Sequence, residues 1–285
     1  MTMQVRPLDA TFGAEIENLD LNDLSDDEFS VLYEAWLEYS FLLFRGQNLT
    51  TDQQIEFAKR FGKLEFDLFE LSNVKEDGSL REGDDDDMVK ILKGNMGWHH
   101  DSTYMPVQAK GAVFSAHVVP SSGGETGWAD MSAAYDALDD SLKDRIAGLS
   151  AHHSLVYSQQ KVGFKQKEKD SEYMGYGFDQ SDAKLRPLVK THSETGRKTL
   201  TIGRHAHAIP GLDEAESEKL LDELVDFACQ PPRIYQHKWS PGDVVVWDNR
   251  NLMHQACPWD MREKRVMFHT RIAGDPEHEG VEQAR

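Results

Sequence analysis

The chain has 285 residues and a formal charge of −19, from 50 acidic against 31 basic side chains. That length buries a sizeable core, and no run approaches the roughly 20 apolar residues of a membrane helix. So large an acidic excess repels phosphate backbones and anionic bilayers, so neither nucleic acid nor a membrane is an expected partner. The N-terminal Met1-Thr2-Met3-Gln4-Val5-Arg6 lacks the basic-then-apolar pattern of a secretory signal. Cys229 and Cys257 fit neither a metal spacing nor a disulfide framework, which suits a reducing cytoplasm.

In chain order, Ser25-Asp26-Asp27-Glu28 reads as a capping box, with Phe29, Leu32, Tyr33, Trp36 and Leu37 at helical spacing behind it. Residues 41–44 read as a strand. Thr51-Asp52-Gln53-Gln54 opens a second helix with Ile55, Ala58 and Phe61 inward and Gly62 as its stop. Polar stretches predict mobile loops near 75–87 and near 161–172. The acidic runs at 84–87 and 213–218 read as solvated surface. Strand-like runs lie at 88–92, 112–119, 199–202, 244–247 and 265–272, and amphipathic helical segments at 132–146 and 213–227. The Gly123-Gly124 pair reads as a hairpin turn, and Pro241-Gly242-Asp243 as the turn that launches 244–247. Many short strands after residue 88, with few and peripheral helices, predict a mainly β fold, a double-stranded β-helix or jelly roll. No repeat or linker divides the chain, so a single domain over 1–285 is expected. A doubly wound α/β fold is disfavoured because no glycine-rich phosphate loop follows an early strand.

The chemistry concentrates in Trp98-His99-His100-Asp101-Ser102 and a distant His254. Two imidazoles and one carboxylate make the facial ligand set of non-haem Fe(II) oxygenases, which leaves open positions for co-substrate and O₂. In an extended segment His99 and Asp101 would point to one side and His100 away, either beside the ligands or to solvent. Asp248-Asn249-Arg250 would break a strand and give His254 a loop from which to reach the metal. Arg265 opens a strand-like run whose period-two face also holds Met267, His269 and Arg271. An inward arginine needs an anion, and a bidentate carboxylate supplies one. The alternative is an outward ion pair with Glu263 or Asp260. Thr126 offers a hydroxyl to the same anion. His152, His153 and His207 read as ordinary hydrogen-bonded histidines.

The ordered set Trp98-His99-x-Asp101-Ser102, Gly123-Gly124-x-Thr126, Trp247-Asp248-Asn249-Arg250, His254 and Arg265 resembles the taurine dioxygenase branch of the 2-oxoglutarate-dependent Fe(II) oxygenases. The resemblance spans nearly the whole chain. Within that branch it is closer to the aryloxyalkanoate dioxygenases of the (S)-2-phenoxypropionate type. The blocks that carry it are Gly94-Asn95-Met96, Asp101-Ser102-Thr103-Tyr104-Met105-Pro106, His153-Ser154-Leu155-Val156-Tyr157-Ser158 and Ile202-Gly203-Arg204-His205-Ala206-His207-Ala208-Ile209-Pro210. The resemblance implies His99, Asp101 and His254 as catalytic Fe(II) ligands. Thr126 and Arg265 would hold 2-oxoglutarate, and Asn95, Met96, Tyr104, Ser154, Arg204, His205, His269 and Arg271 would contact substrate. Taurine-using relatives have a second arginine where this chain has His269, which lowers taurine as substrate and leaves His269, Arg271 and Arg204 as alternatives for a substrate carboxylate. Halogenating relatives have a small residue at the position of Asp101, so hydroxylation is implied. On a 2-aryloxyalkanoate, hydroxylation at the ether carbon gives a hemiketal that collapses to a phenol and a 2-oxo acid, while 2-oxoglutarate and O₂ give succinate and CO₂. A homo-oligomer is likewise implied. Competing readings are a dioxygenase for a sulfonate or another carboxylate, a zinc hydrolase with the same ligands, and a metal-binding jelly-roll protein without oxygenase activity. The absence of a helical H-E-x-x-H pattern counts against the hydrolase.

Overall fold

In the computed structural model, which describes residues 3–81, 83, 86–163 and 183–281, the chain opens with β1 (Gln4–Pro7) and β2 (Ala14–Glu17). Helix α1 (Asp26–Tyr39) starts where the capping box predicts. Ser25 Oγ accepts from the Glu28 N–H, and the Glu28 carboxylate accepts from the Ser25 N–H. After β3 (Phe41–Phe44), α2 (Thr51–Lys59) is capped by Thr50, one residue earlier than expected, and buries Gln54, Phe57 and Ala58. The long β4 (Leu64–Ser72) follows. Of the loop expected at 75–87, the described part begins with a turn in which the Lys75 N–H donates to the Ser79 carbonyl.

Residues 88–92, expected as a strand, form a helix instead, α3 (Asp87–Gly94). Asp86 decides it, because its carboxylate accepts from the N–H groups of Met88 and Val89 at 2.9 and 3.2 Å. A five-residue stretch that is apolar except for Lys90 is ambiguous by periodicity alone, and the N-cap tips it to a helix. Next come β5 (Gly111–Val118), β6 (Thr126–Asp130), α4 (Met131–Ala137), α5 (Asp140–Ile146), β7 (Ser150–His153) and α6 (Leu155–Lys161). The segment 132–146 is therefore two short helices, the second capped by Asp139. Beyond Gly163 the second expected loop lies outside the described residues. Short strands β8 (Lys184–Pro187), β9 (Val189–Thr191), β10 (Lys198–Leu200) and β11 (Ala206–His207) precede α7 (Glu214–Ala228), which Asp213 caps. The chain closes with β12 (Ile234–His237), β13 (Val244–Asp248), β14 (Leu252–Ala256), β15 (Val266–Ile272) and the short α8 (Pro276–Glu279).

A seven-stranded sheet in the order β1-β2-β3-β13-β5-β15-β4 faces a three-stranded sheet in the order β12-β6-β14. Alternation along the strands builds the core between and behind them. In β13, Val244 and Val246 pack under α1 and α2, whereas Val245 and Trp247 point between the sheets. In β14, Leu252 points between the sheets and Met253 packs the other way, against α4 and α7. Strands buried on both faces read as continuous apolar runs, which is why 41–44 and 244–247 were visible without any alternation. The Gly123-Gly124 turn does not close a hairpin: β5 and β6 belong to different sheets, and the turn carries the chain across the gap. The turn after β13 does the same.

His153 departs from its expected role. It is fully buried, and among the described residues neither ring nitrogen has a hydrogen-bond partner. Burial, with Arg186 nearby, holds its proton affinity well below the ordinary histidine value of 6.5. A depressed folded value means that the unfolded chain binds the proton first, so His153 lowers stability as pH falls below about 6.5. His153→Phe keeps the ring volume and removes both nitrogens. Urea unfolding at pH 7 and pH 5 should find the variant less acid-sensitive, by about 1–2 kcal/mol at pH 5. Parallel stability losses in the two proteins would refute this.

Candidate active site

The three metal-ligand candidates meet between the two sheets. His99 and His254 form an antiparallel bridge, the His99 N–H donating to the His254 carbonyl at 3.0 Å and the His254 N–H to the His99 carbonyl at 2.8 Å. Asp101 joins them by a route other than strand alternation. Residues 101–104 form a turn, with Ser102 at φ 59°. The Asp101 backbone is held by the side chain of Asn249, whose Oδ1 accepts from the Asp101 N–H at 2.8 Å and whose Nδ2 donates to its carbonyl at 3.0 Å. One ligand atom from each of His99, Asp101 and His254 then falls within 4.8 Å of the others, and all three residues are buried. His254 lies on β14 itself rather than on a loop, on the same face as Leu252.

The donor set fits a divalent metal. The His99 Nδ1–H donates to the Gly97 carbonyl at 2.7 Å, which fixes the tautomer and leaves the Nε2 lone pair available. Asp101 Oδ2 is buried, has no hydrogen-bond partner among the described residues and lies 3.7 Å from His254 Nε2. Burial pushes the proton affinities of His99 and His254 well down, so both rings are neutral, as metal ligands must be. His100 points away from the cluster and is buried rather than exposed, its ring nitrogens 2.8 and 3.3 Å from the carbonyls of Asn249 and Leu200.

Arg265 turns inward. Its Nε–H donates to the Gly124 carbonyl at 3.2 Å, and its guanidinium lies 5.1 Å from the centre of the Trp259 ring. Gly124, at φ +73°, is needed here, because a Cβ would come within 3.3 Å of the Arg265 side chain. The outward alternatives are engaged elsewhere: Asp260 pairs with Arg262, and the Glu263 carboxylate accepts from Ser121. Among the described residues no carboxylate pairs with Arg265, and burial pulls its guanidinium down to about 10. Thr126 Oγ1 accepts from the Trp239 indole N–H at 3.0 Å and from Arg265 Nη2 at 3.5 Å. With both lone pairs so used, its own O–H is left to donate to an anion at Arg265.

These groups line one cavity of about 300 Å³. Phe66, Phe69 and Leu71 of β4, Ile91 and Leu92 of α3 and Leu155 of α6 give it an apolar wall. Asn95, Tyr104, Arg204, His205, His269 and Arg271 also line it. His269 and Arg271 lie there because Met267, His269 and Arg271 share the inward face, whereas Thr270 faces α2 and takes a bond from Gln54. Met96 and Ser154 are not brought to the cavity. Met96 sits in the turn after α3, and the Ser154 hydroxyl oxygen caps α6 by accepting from the Tyr157 N–H. His269 stacks on Trp247 at 5.6 Å, and burial lowers it to about 3, so it carries no charge for a carboxylate. Arg204 donates to the Gly94 carbonyl and to Ser158 Oγ, and no carboxylate pairs with it among the described residues. Arg271 is already paired with Asp101, Nη2 to Oδ1 at 2.8 Å.

Sequence reading missed three site residues: Asn249, Trp239, and Gln159, which also lines the cavity. Asn249 stood inside a quoted block, but only the fold brings it to Asp101. Trp239 and Gln159 carried no local signal.

The chain matches the model of the family described as taurine catabolism dioxygenase TauD, TfdA family over residues 4–271. It is 66% identical to the (S)-phenoxypropionate/alpha-ketoglutarate-dioxygenase of Sphingobium herbicidovorans, over 96% of each chain. It is 37% identical to the alpha-ketoglutarate-dependent 2,4-dichlorophenoxyacetate dioxygenase of Cupriavidus pinatubonensis, over 94% of this chain and 96% of that one. The crystal structure of AAD-2 in complex with Mn(II) and N-oxalylglycine superposes with a TM-score of 0.90 at 37% identity, covering 99% of this chain and all of that one.

The cluster predicts a divalent-metal site whose strength depends on His254. Titration of the protein with Mn(II), followed by the signal of the free ion, should give stoichiometric binding that His254→Ala weakens at least 10-fold. Equal binding by both proteins would move the site elsewhere.

Proposed function

Since this chain belongs to the TauD, TfdA dioxygenase family, we propose that it is an Fe(II)- and 2-oxoglutarate-dependent dioxygenase that cleaves 2-aryloxyalkanoates of the (S)-2-phenoxypropionate type to a phenol and a 2-oxo acid. One observation carries the reading. The buried guanidinium of Arg265 and the partly buried one of Arg204 line a single largely apolar cavity with the His99, Asp101 and His254 cluster, and neither has a carboxylate partner among the described residues. An uncompensated buried cation is costly, so each calls for an anion. The two ligands of this reaction, 2-oxoglutarate and an aryloxy acid, bring one carboxylate to each.

Fe(II), when bound, supplies the O₂ activation that couples decarboxylation of 2-oxoglutarate to succinate with hydroxylation of a substrate carbon. The protein's part is placement and exclusion of water. His99 and His254 present neutral imidazoles and Asp101 its unpartnered oxygen. Arg265 grips the distal carboxylate of 2-oxoglutarate while the Thr126 hydroxyl donates to it. Arg204 takes the substrate carboxylate, and Phe66, Phe69, Leu71, Ile91 and Leu92 surround the aryl ring. Oxygen insertion at the carbon bearing the ether gives a hemiketal, whose hydroxyl oxygen becomes the ketone of the 2-oxo acid as the aryl–oxygen fragment leaves as the phenol. The neutral His269 leaves a sulfonate without a cation at that position.

We read the two facing sheets as the double-stranded β-helix of this family, within a single dioxygenase domain. Among the described residues no helix is long and apolar enough to cross a membrane. Both cysteines are free, which suits the expected cytoplasmic setting. A homo-oligomer is inferred from the family resemblance.

With Fe(II), ascorbate, 2-oxoglutarate and O₂, (S)-2-phenoxypropionate should yield succinate and phenol one to one, in excess over the (R) enantiomer, phenoxyacetate and taurine. Succinate at the substrate-free rate with all four would refute the substrate assignment. Arg265→Ala should weaken 2-oxoglutarate binding by about 2–5 kcal/mol. Arg204→Gln should instead raise the KM for the aryloxy acid and leave that for 2-oxoglutarate within twofold. The reverse split would exchange the two anchors.

A further inference from the structure

The carboxylate end of the metal cluster is braced by four polar groups in series, only one of which is a ligand candidate. Arg271 Nη2 donates to Asp101 Oδ1 at 2.8 Å, and Arg271 Nη1 donates to Ser102 Oγ at 3.2 Å. The Ser102 hydroxyl in turn donates to the Glu65 carboxylate, 3.0 Å from either oxygen. Arg271, Ser102 and Asp101 are all buried, and the guanidinium lies 4.8 Å from the centre of the Phe66 ring. Burial raises the proton affinity of the Tyr104 phenol, which also hydrogen-bonds Arg271, so the hydroxyl stays protonated beside the guanidinium.

We propose that Arg271 is a positioning residue for Asp101, set by Ser102 and Glu65, and that it does not bind the substrate carboxylate. This rests on the reading of His99, Asp101 and His254 as metal ligands. The guanidinium engages Oδ1 alone. Oδ2 is left buried and unbonded, 3.7 Å from His254 Nε2 and 3.5 Å from His269 Nε2, on the side where a shared ion would lie. Rotation of the carboxylate would break the bond to Arg271 or require the guanidinium to follow, and Ser102 and Phe66 hold the guanidinium in place. The backbone is arranged for this contact. Along β4 the pairing with β15 slips on both sides of Arg271, with partners Phe69 for His269, Phe66 for Arg271 and Leu64 for Ile272. The second slip leaves Glu65 as the extra residue of a bulge, a device that re-aims a side chain. Its carboxylate reaches Ser102, whose φ of 59° carries the turn out of Asp101. The charge count gives the same result. Arg271 pairs directly with the Asp101 carboxylate and, through the Ser102 hydroxyl, is linked to that of Glu65, so its positive charge is compensated within the protein, whereas Arg204 and Arg265 have no such partner among the described residues. A substrate carboxylate beside Arg271 would be the third anion around one cation.

The test compares wild type, His254→Ala, Arg271→Gln, Arg271→Lys and Ser102→Ala by Mn(II) titration, and by the KM for (S)-2-phenoxypropionate where turnover remains. Arg271→Gln should weaken Mn(II) about 10–100-fold, as losses beside a metal ligand do. Arg271→Lys, which keeps charge but one fewer donor arm, should recover part of this, and Ser102→Ala should lose less than Arg271→Gln. The substrate KM should change less than twofold in Arg271→Lys and Ser102→Ala. If Arg271→Gln does not fold, as judged by circular dichroism, the Lys and Ala variants carry the same comparison. Wild-type Mn(II) affinity with a raised substrate KM in the Arg271 variants would overturn the proposal and make Arg271 a substrate anchor. Unchanged Mn(II) binding in His254→Ala would overturn the ligand reading itself and this proposal with it. Loss in His254→Ala beside wild-type affinity in both Arg271 variants would sink only the proposal made here.

Discussion

The buried ion pair between Asp248 and Arg250 closes the turn that takes the chain from β13 in one sheet to β14 in the other. Arg250 Nε and Nη2 donate to the two Asp248 oxygens at 2.8 and 2.6 Å, and His192 Nε2 lies 2.9 Å from the carboxylate. The far side of the guanidinium meets Glu194. These contacts hold the Asp248 carboxyl well below the usual carboxylate range, and Arg250 stays charged against a burial that would otherwise oppose it. Two things follow from fixing this turn. Asn249 is pointed at the backbone of Asp101, and β14 starts in the register that puts His254 opposite His99. A buried pair of this kind adds little net stability, but loss of one partner strands a charge and costs about 3–5 kcal/mol. Its value here is geometric.

The same electrostatic logic sorts the arginines of the cavity. Arg271 is paired with Asp101 and linked to Glu65 through Ser102, whereas among the described residues Arg265 and Arg204 donate to carbonyl and hydroxyl oxygens. In a chain of charge −19, the long-range field opposes an incoming dianion. At physiological ionic strength that field is screened beyond about 8 Å, so capture is decided by the desolvated cations inside the cavity. Placing them against Gly124 and beside Gly94, where side chains are absent, lets each guanidinium lie close to backbone carbonyls without displacing it.

Rigidity comes from strands buried on both faces. Trp128, Trp239, Trp247 and Phe114 pack edge to face between the sheets, with centroid separations of 5.4 to 6.4 Å. Trp247 also contacts the rings of His254 and His269, and Trp239 reaches Thr126 through its indole N–H. The aromatic core therefore touches both the His99, Asp101 and His254 cluster and Thr126 beside Arg265, so the placing of these side chains is set by packing as much as by hydrogen bonds.

Much of this was legible in the chain itself. The capping box at Ser25, the helical segment that begins at Asp213, the apolar runs of β3 and β13, and the inward face of Met267, His269 and Arg271 follow from local propensities and the two backbone periods, which any window of sequence contains. So does the choice of His99, Asp101, His254 and Arg265 as candidates, because few residue types bind a metal or a carboxylate, and the fold brings these four to one cavity. The failures share one cause. Residues 88–92 form a helix because the Asp86 carboxylate caps its first turn, and Ser154 is withdrawn from the cavity because its oxygen caps α6. Asp101 is placed by Asn249, 148 positions away, and Arg271 is occupied by an aspartate 170 positions away. Local sequence determined which groups can carry charge or a lone pair. Only the tertiary structure decided which of them are already satisfied by one another and which are left over for a ligand, because hydrogen bonds and ion pairs are made with whatever group folding brings within about 3 Å.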